Sequence, residues 1–468
     1  MHRAQPLTTF TTLLALLATL WLPTSIAAST ADVHEATLDN GLKILVLPDE
    51  RAPVVTHQVW YKVGSADEPG GITGIAHMFE HMMFKGTEHL GPGEFSEIIA
   101  RLGGTENAFT GRDFTAYFQT IAADELDTMM RWETDRMANL ALDAEEFARE
   151  KEVVKEEWRT RVRDNPNGRL NQLLYATAFT SSGYHHPVIG WKTDIDAYTL
   201  DDLQRWYEAH YAPNNATLVV VGDVDPAEVV AMAREHYGQV PRRDLPPAKP
   251  REEQAQHGIK RARLSIPAKL PHLSMGYKAP SLVTAEAQET AYALAVASGI
   301  LSGDSGARLN NDLVRTGKLS TASAGYNLNA RETTLFTLDA TPREGQSLDE
   351  AEALLRAQIE RLKNEPVGED ELDRIKAQVV ASDVYERDSL FYQGMTLGMY
   401  ETIGLDYRVA DRFVEGIRAV TAADVQAAAR TWLRDEALTI ATLEPEAQGD
   451  PQPAGSTRSP SHGGNDRD

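Results

Sequence analysis

Apolar and polar positions along this chain repeat with two periods, near 2 and near 3.6, and the switches between them mark its elements. Residues 42–47 and 54–63 alternate as strands do, with Pro48, Asp49 and Pro53 in the turn between them. Helical spacing follows a Gly-rich loop over 72–83 and returns over 95–102, where Gly103-Gly104 stops it. From 108 to 121 Thr, Phe and Tyr alternate again as in strands. Helices are predicted over 124–138, 144–163 and 170–178. Thr199 starts another as N-cap, with Asp202 as the acid of a capping box. A β-branched strand over 217–221 closes at Gly222, and a helix over 226–237 follows.

Residues 249–260 carry charge and Gln but no apolar run, and they read as a linker. Beyond them, 262–277 is strand-like and 286–297 is helical, with helical character continuing at Leu309. Paired strands are expected within 319–338, strongly periodic helices over 348–362 and 369–384, a helix over 421–433 and a strand over 438–443. The end of the second half repeats the end of the first. Thr199 and Asp202, Trp206 and strand Leu218-Val219-Val220-Val221 correspond to Thr421 and Asp424, Trp432 and strand Leu438-Thr439-Ile440-Ala441. The expected fold class is α+β: two homologous α/β-roll domains, each an antiparallel-rich sheet flanked by helices. The expected bounds are 28–248 and 261–445, joined by the linker.

Composition narrows the function classes. The chain has 468 residues, 42% hydrophobic and 25% charged, enough for two cores. It contains no cysteine, so disulfides, thiolate metal sites and thiol nucleophiles are excluded, and any metal must be held by His, Asp or Glu. A net charge of −23 argues against a nucleic-acid groove. His2 and Arg3, a largely apolar stretch over 7–22 and Ser25-Ile26-Ala27 make residues 1–27 read as a cleaved signal peptide. No later stretch reaches the ~18 apolar residues of a membrane span. A periplasmic or secreted location is expected. The end, 446–468, is rich in Pro, Gly, Ser and Asp and reads as a disordered tail.

Chemistry concentrates at His77-Met78-Phe79-Glu80-His81. This H-x-x-E-H string reverses the commoner H-E-x-x-H zinc motif. Positions i and i+4 share one helix face, so both imidazoles can reach one ion, with Glu80 bordering them. Two histidines need a third ligand, and no other histidine stands out. The helix predicted over 144–163 offers Glu145, Glu146, Glu150, Glu152, Glu156 and Glu157. Glu150 and Glu157 lie two turns apart on one face, and spacing chooses no further.

At this point the chain resembles the pitrilysin-like (inverzincin, M16) zinc peptidases, in their processing-peptidase-like two-domain subgroup. The resemblance rests on Gly74 to Thr87 around the motif and on Gly103-Gly104-Thr105-Glu106-Asn107-Ala108-Phe109-Thr110 with Asp113, Thr115 and Tyr117. It also rests on Glu150-Lys151-Glu152-Val153-Val154-Lys155-Glu156-Glu157 and on a Gly/Ser-rich segment in 301–318. It spans about residues 39–445.

The resemblance implies Zn2+ held by His77, His81 and Glu157, with Glu150 behind the ligands orienting the site. It implies Glu80 as the general base that activates a zinc-bound water, and Asn107 and Ala108 on a strand that pairs with substrate backbone. The implied activity is that of a zinc-dependent endopeptidase acting on peptides or unfolded polypeptides. Only the first half carries the motif.

Active members also draw an Arg and a Tyr from a second-domain region. Arg343 follows the strand expected over 332–338, but no tyrosine accompanies it. A homodimer, or a heterodimer with a related subunit lacking the motif, is therefore the expected unit. The competing reading is a catalytically inactive or metal-binding scaffold.

Overall fold

A computed structural model describes residues 30–247 and 251–446. The signal-peptide assignment and nearly all of the predicted tail lie outside these residues.

Eleven strands build two sheets among the described residues: β1 (His34–Thr37), β2 (Lys43–Pro48), β3 (Val54–Tyr61), β4 (Thr105–Thr110), β5 (Thr115–Ala122), β6 (Ala216–Gly222), β7 (Lys260–Ile266), β8 (His272–Ala279), β9 (Leu319–Tyr326), β10 (Thr334–Pro342) and β11 (Leu438–Pro445). The first sheet runs β1-β2-β6-β3-β5-β4 and the second β7-β11-β8-β10-β9. Without β1 the orders coincide position by position. In each, the strand nearest the end of its half inserts parallel to the first strand and antiparallel to the second. The repeat read from the two capping boxes is therefore a repeat of topology. Both boxes are present, at Thr199/Asp202 and Thr421/Asp424.

The lobes exchange cover. Helix Pro166–Ala178 belongs to the first half but lies on the second sheet, where Leu170, Leu174 and Ala178 pack with Ile266, Leu335, Ala441 and Leu443. Helix Leu390–Thr402 belongs to the second half but lies on the first sheet, where Leu397 packs with Leu45, Leu47, Trp60, Val219 and Val221. The opposite face of the first sheet carries the main core with the helix Ile75–Met82. A sheet covered on both faces needs continuous rather than alternating apolar strands. That is why β6 is buried at every residue. The second helix fits because it is smooth on one side: a Cβ at Gly394 or Gly398 would fall inside 3.0 Å of Gln58 or Trp60 side-chain atoms.

The segment expected as a linker is a bonded strap. Glu253 accepts from the amides of Thr180, Ser181 and Ser182 of the first lobe at 2.9–3.0 Å and from Lys278 Nζ of the second at 2.5 Å. Arg251 donates to the carbonyls of Ala66 and Glu68. Lys260, at the end of this segment, is the first residue of β7 and pairs with Thr439. No helix of the described residues is long and apolar enough to cross a membrane.

Candidate metal centre

The helix Ile75–Met82 turns Ile75, Ala76, Met78, Phe79 and Met82 into the core and leaves His81 and Glu80 part-exposed on its border. Its start is fixed twice. Gly74 takes a positive φ of 88°, and a Cβ there would fall inside 3.0 Å of the Ile189 carbonyl. Glu68, fully buried, accepts from Gly74 N at 2.7 Å and Ala76 N at 2.8 Å, covering two amides that the first turn leaves unpaired.

The partner helix, Ala144–Trp158, begins at Asp143, whose side chain caps the amides of Glu145 and Glu146. Four of its six acids pair with neighbouring bases, three of them at the exposed surface: Glu145 and the part-buried Glu146 with Arg149, Glu152 with Lys155, Glu156 with Arg159. Of the six, Glu150 and Glu157 are the two that face His77 and His81. Glu157 Oε2 lies 3.5 Å from His77 Nε2 and 3.5 Å from His81 Nε2. One donor atom from each of the three residues falls within 4.8 Å of the others, the only such group among the described residues.

The fit to zinc can be judged from these atoms. A tetrahedral centre with ligands at ~2.1 Å has edges of about 3.4 Å, close to both measured separations. Glu157 Oε2 is buried with no hydrogen-bond donor among the described residues, as an atom aimed at a cation would be. Burial pushes His77 down to about 4, with the His81 ring adding to it, so its imidazole is neutral and able to ligate. Burial opposes charge on His81 too, but the carboxylates of Glu157 and Glu150 beside its ring outweigh it and raise its pKa. Glu157 is held below the usual range, chiefly by the His81 ring 3.5 Å away.

A second layer surrounds the cluster. Glu150 Oε2 stands 3.1 Å from His81 Nδ1, and Glu150 Oε1 pairs with Lys85 Nζ at 2.7 Å. This is the carboxylate–histidine arrangement that fixes ring orientation in metal sites. Glu150, expected behind the ligands, touches the side of the His81 ring that faces away from Glu157. Arg161 holds the other oxygen of Glu157 at 2.5 Å. It sits in a single π-helical turn, Arg159–Arg163, of the kind found at functional sites. Glu80 Oε2 accepts from Thr110 Oγ1 at 2.5 Å. Burial raises its pKa while the Thr110 bond opposes the rise. Sequence reasoning assigned no role to Lys85, Thr110, Arg161 or Glu68. The first two lay within the quoted motifs, whereas Glu68 gave no signal.

Thr110 brings the edge of the first sheet to the cluster. Among the described residues β4 pairs with β5 and no other strand, so no strand covers its other edge. Asn107 and Ala108 lie on it, and the Asn107 side-chain oxygen accepts from Ala108 N at 2.8 Å. Alternation places Asn107, opposite Phe118, on the face turned toward Phe391 of the covering helix, and Thr110 on the face of Glu80. A cavity of about 40 Å³ lined by Val33, Leu47, Tyr392 and Leu397 shares no residue with this site.

Two imidazoles and a carboxylate facing one point, with a glutamate and an open sheet edge beside them, define a zinc-dependent peptidase. Comparison with known proteins specifies which kind. Residues 43–191 match the model of insulinase (peptidase family M16), and 197–379 match that of the peptidase M16 inactive domain. The zinc protease PqqE of Helicobacter pylori is 32% identical over 364 residues, covering 76% of this chain and 80% of that protein. The crystal structure of a protease from H. pylori superposes with a TM-score of 0.84 at 29% identity, covering 88% of this chain and 99% of that one. The periplasmic protease PqqL of Escherichia coli shares the fold, with a TM-score of 0.71 at 19% identity over 89% of this chain and 48% of its own. The chain belongs to the M16 family of metallopeptidases, whose cofactor is zinc and whose substrates are peptides.

Proposed function

We propose that this protein is an endopeptidase that cleaves peptides or unfolded polypeptides at the cluster of His77, His81 and Glu157, with Glu80 as general base. The observation that carries the proposal is the pair of 3.5 Å separations converging on one unpaired Glu157 oxygen. When bound, zinc supplies Lewis acidity toward a water and toward the scissile carbonyl. The chain's residues do the rest. Glu80 takes the water's proton and delivers it to the leaving amine. Thr110 fixes which oxygen of Glu80 faces the reacting atoms. Glu150, backed by Lys85, holds the His81 ring. The peptide adds to the open edge of β4 by strand addition and takes over the Ala108 N–H that Asn107 covers.

The domain bounds, the signal peptide, a periplasmic or secreted location and a dimeric unit belong to the same proposal. The apolar start of the chain and the name of the E. coli protein support the location. That protein carries about twice this chain's length, which supports a second unit closing over the site, as does the segment after strand β10, which offers Arg343 without a tyrosine.

The test is hydrolysis of an unstructured peptide by the wild type and by Glu80→Gln, with zinc content measured in both. The variant should keep its zinc and lose about 10²–10⁴-fold in kcat. Equal turnover would sink the mechanism. Zinc retained without turnover in the wild type would favour an inactive scaffold or a missing subunit.

A further inference from the structure

We propose that Arg331, a residue of the second lobe, is a positioning residue for the metal centre of the first. The proposal rests on His77, His81 and Glu157 being zinc ligands. Arg331 is largely buried at the seam between the lobes. Its Nη2 donates to Asp67 Oδ1 at 2.9 Å, its Nε lies 3.7 Å from Asp113 Oδ1, and its amide donates to Asp113 Oδ2 at 3.1 Å. Each carboxylate belongs to a segment that carries one side of the site.

Asp67 closes a short turn by accepting from Gly64 N, and the next residue is Glu68, which holds the first amides of the His77 helix. Asp113 lies in the turn that joins β4 to β5, three residues after Thr110, which holds Glu80. Tyr184 gives its hydroxyl to the same Asp113 carboxylate. The two turns also bond directly, Ser65 N to Gly111 O and Ala66 N to Arg112 O. One guanidinium from the non-catalytic lobe therefore pins the metal helix and the substrate-side strand to each other. A planar guanidinium holds its donors in a fixed fork, whereas a lysine offers one rotatable ammonium and fixes the two carboxylates less firmly. Asp113, present in the sequence motif without a role, gains one as the strand-side anchor.

A plain structural contact is the competing explanation, so the test needs a second ion pair between the lobes that is remote from the site. Lys43 and Glu401 provide it, at 2.8 Å. The full chain and its Arg331→Ala, Arg331→Lys and Lys43→Ala variants are compared. Zinc dissociation constants come from chelator competition, kcat and KM from an unstructured peptide, and stability from thermal unfolding. Arg331→Ala should weaken zinc binding about tenfold and lower kcat, as loss of an outer partner of a metal site does. Arg331→Lys should recover part of both, and Lys43→Ala should lose stability with zinc affinity unchanged.

The Arg331 amide bond to Asp113 survives in the alanine variant. Should that variant still fail to fold, Asp67→Asn carries the same expectation. Zinc binding and turnover like wild type in Arg331→Ala, or equal loss of zinc affinity in Lys43→Ala, would overturn the proposal. A wild type that binds no zinc would overturn the ligand assignment itself, and the two failures are told apart by that one measurement.

Discussion

Gly398→Ala tests whether the two lobes form one mechanical unit. The favourable terms are easy to bound. Alanine for glycine inside a helix is worth about 1 kcal/mol, and one more buried methyl about 0.8 kcal/mol. Against them stands overlap: the new Cβ would lie inside 3.0 Å of Nε1, Cε2 and Cδ1 of Trp60. Carbon contacts relax only near 3.5–4.0 Å, so the helix must lift by roughly 1 Å. Trp60 cannot yield, because it is fully buried and its Nε1 donates to Gln58 Oε1. Lifting the helix loosens Leu397 and the part-buried Leu390, Met395 and Met399, whose packing is worth about 2 kcal/mol per fully buried side chain. The overlap wins, and the variant should lose at least ~2 kcal/mol. Urea unfolding followed by tryptophan fluorescence measures this. Gly394→Ala should also lose stability, because its Cβ would fall inside 3.0 Å of the buried Gln58 amide, which is bonded to Phe391 O and Trp60 Nε1. Adding Trp60→Leu to Gly398→Ala should recover part of the loss. A Gly398→Ala protein as stable as wild type would refute the packing argument.

Three further outcomes are expected. Glu150→Gln should lower zinc affinity about 10–100-fold in chelator competition, because the amide is a weaker partner for His81 Nδ1. Glu253→Ala leaves Lys278 buried without its carboxylate and frees three amides, and should cost roughly 3–5 kcal/mol in urea unfolding. The contribution of three buried histidines to stability should fall as pH drops from about 6.5 toward 4, because burial lowers His57 and His210 and takes His186 to about 4. In that window these three bind more protons in the unfolded chain than in the folded one, so their contribution rises with pH. His186→Gln should flatten the slope in pH-dependent urea titrations, and an unchanged slope would remove His186 from the account.

Where local pattern and tertiary demand agreed, the chain was readable. Helix 348–364 shows a strong periodic stripe behind a capping box at Ser347 and Glu350 and was expected over 348–362. The stretch expected as strand-like over 262–277 proved to be two strands, and Pro267 and Pro271, which bracket the break between Ile266 and His272, are its signal in the sequence. Helices Leu390–Thr402 and Val409–Ala419 were not expected at all. The first is apolar around much of its girth and holds Gly394 and Gly398, so neither periodicity nor propensity announces it. Its glycines make sense only against Trp60 and Gln58, more than 330 positions earlier.

The metal site divides along the same line. His77, Glu80 and His81 are legible because one helical turn carries their geometry. Glu157 was one of six acids on its helix, and local spacing narrowed these to two. What separates it physically is where its second oxygen points: four of the others pair with a base one turn away and do not reach the histidines, whereas Glu157 Oε2 lies 3.5 Å from both imidazoles. A charge pattern at i,i+3 and i,i+4 is itself written in the sequence. Removing every glutamate with an Arg or Lys three or four positions later strikes Glu145, Glu146, Glu152 and Glu156 but also Glu157, which has Arg161. The rule would thus have discarded the ligand candidate and kept Glu150. Arg161 takes only one of the two oxygens of Glu157, and the other points at the histidines. A carboxylate can serve a base and a metal at once, and only the directions of its two oxygens reveal it.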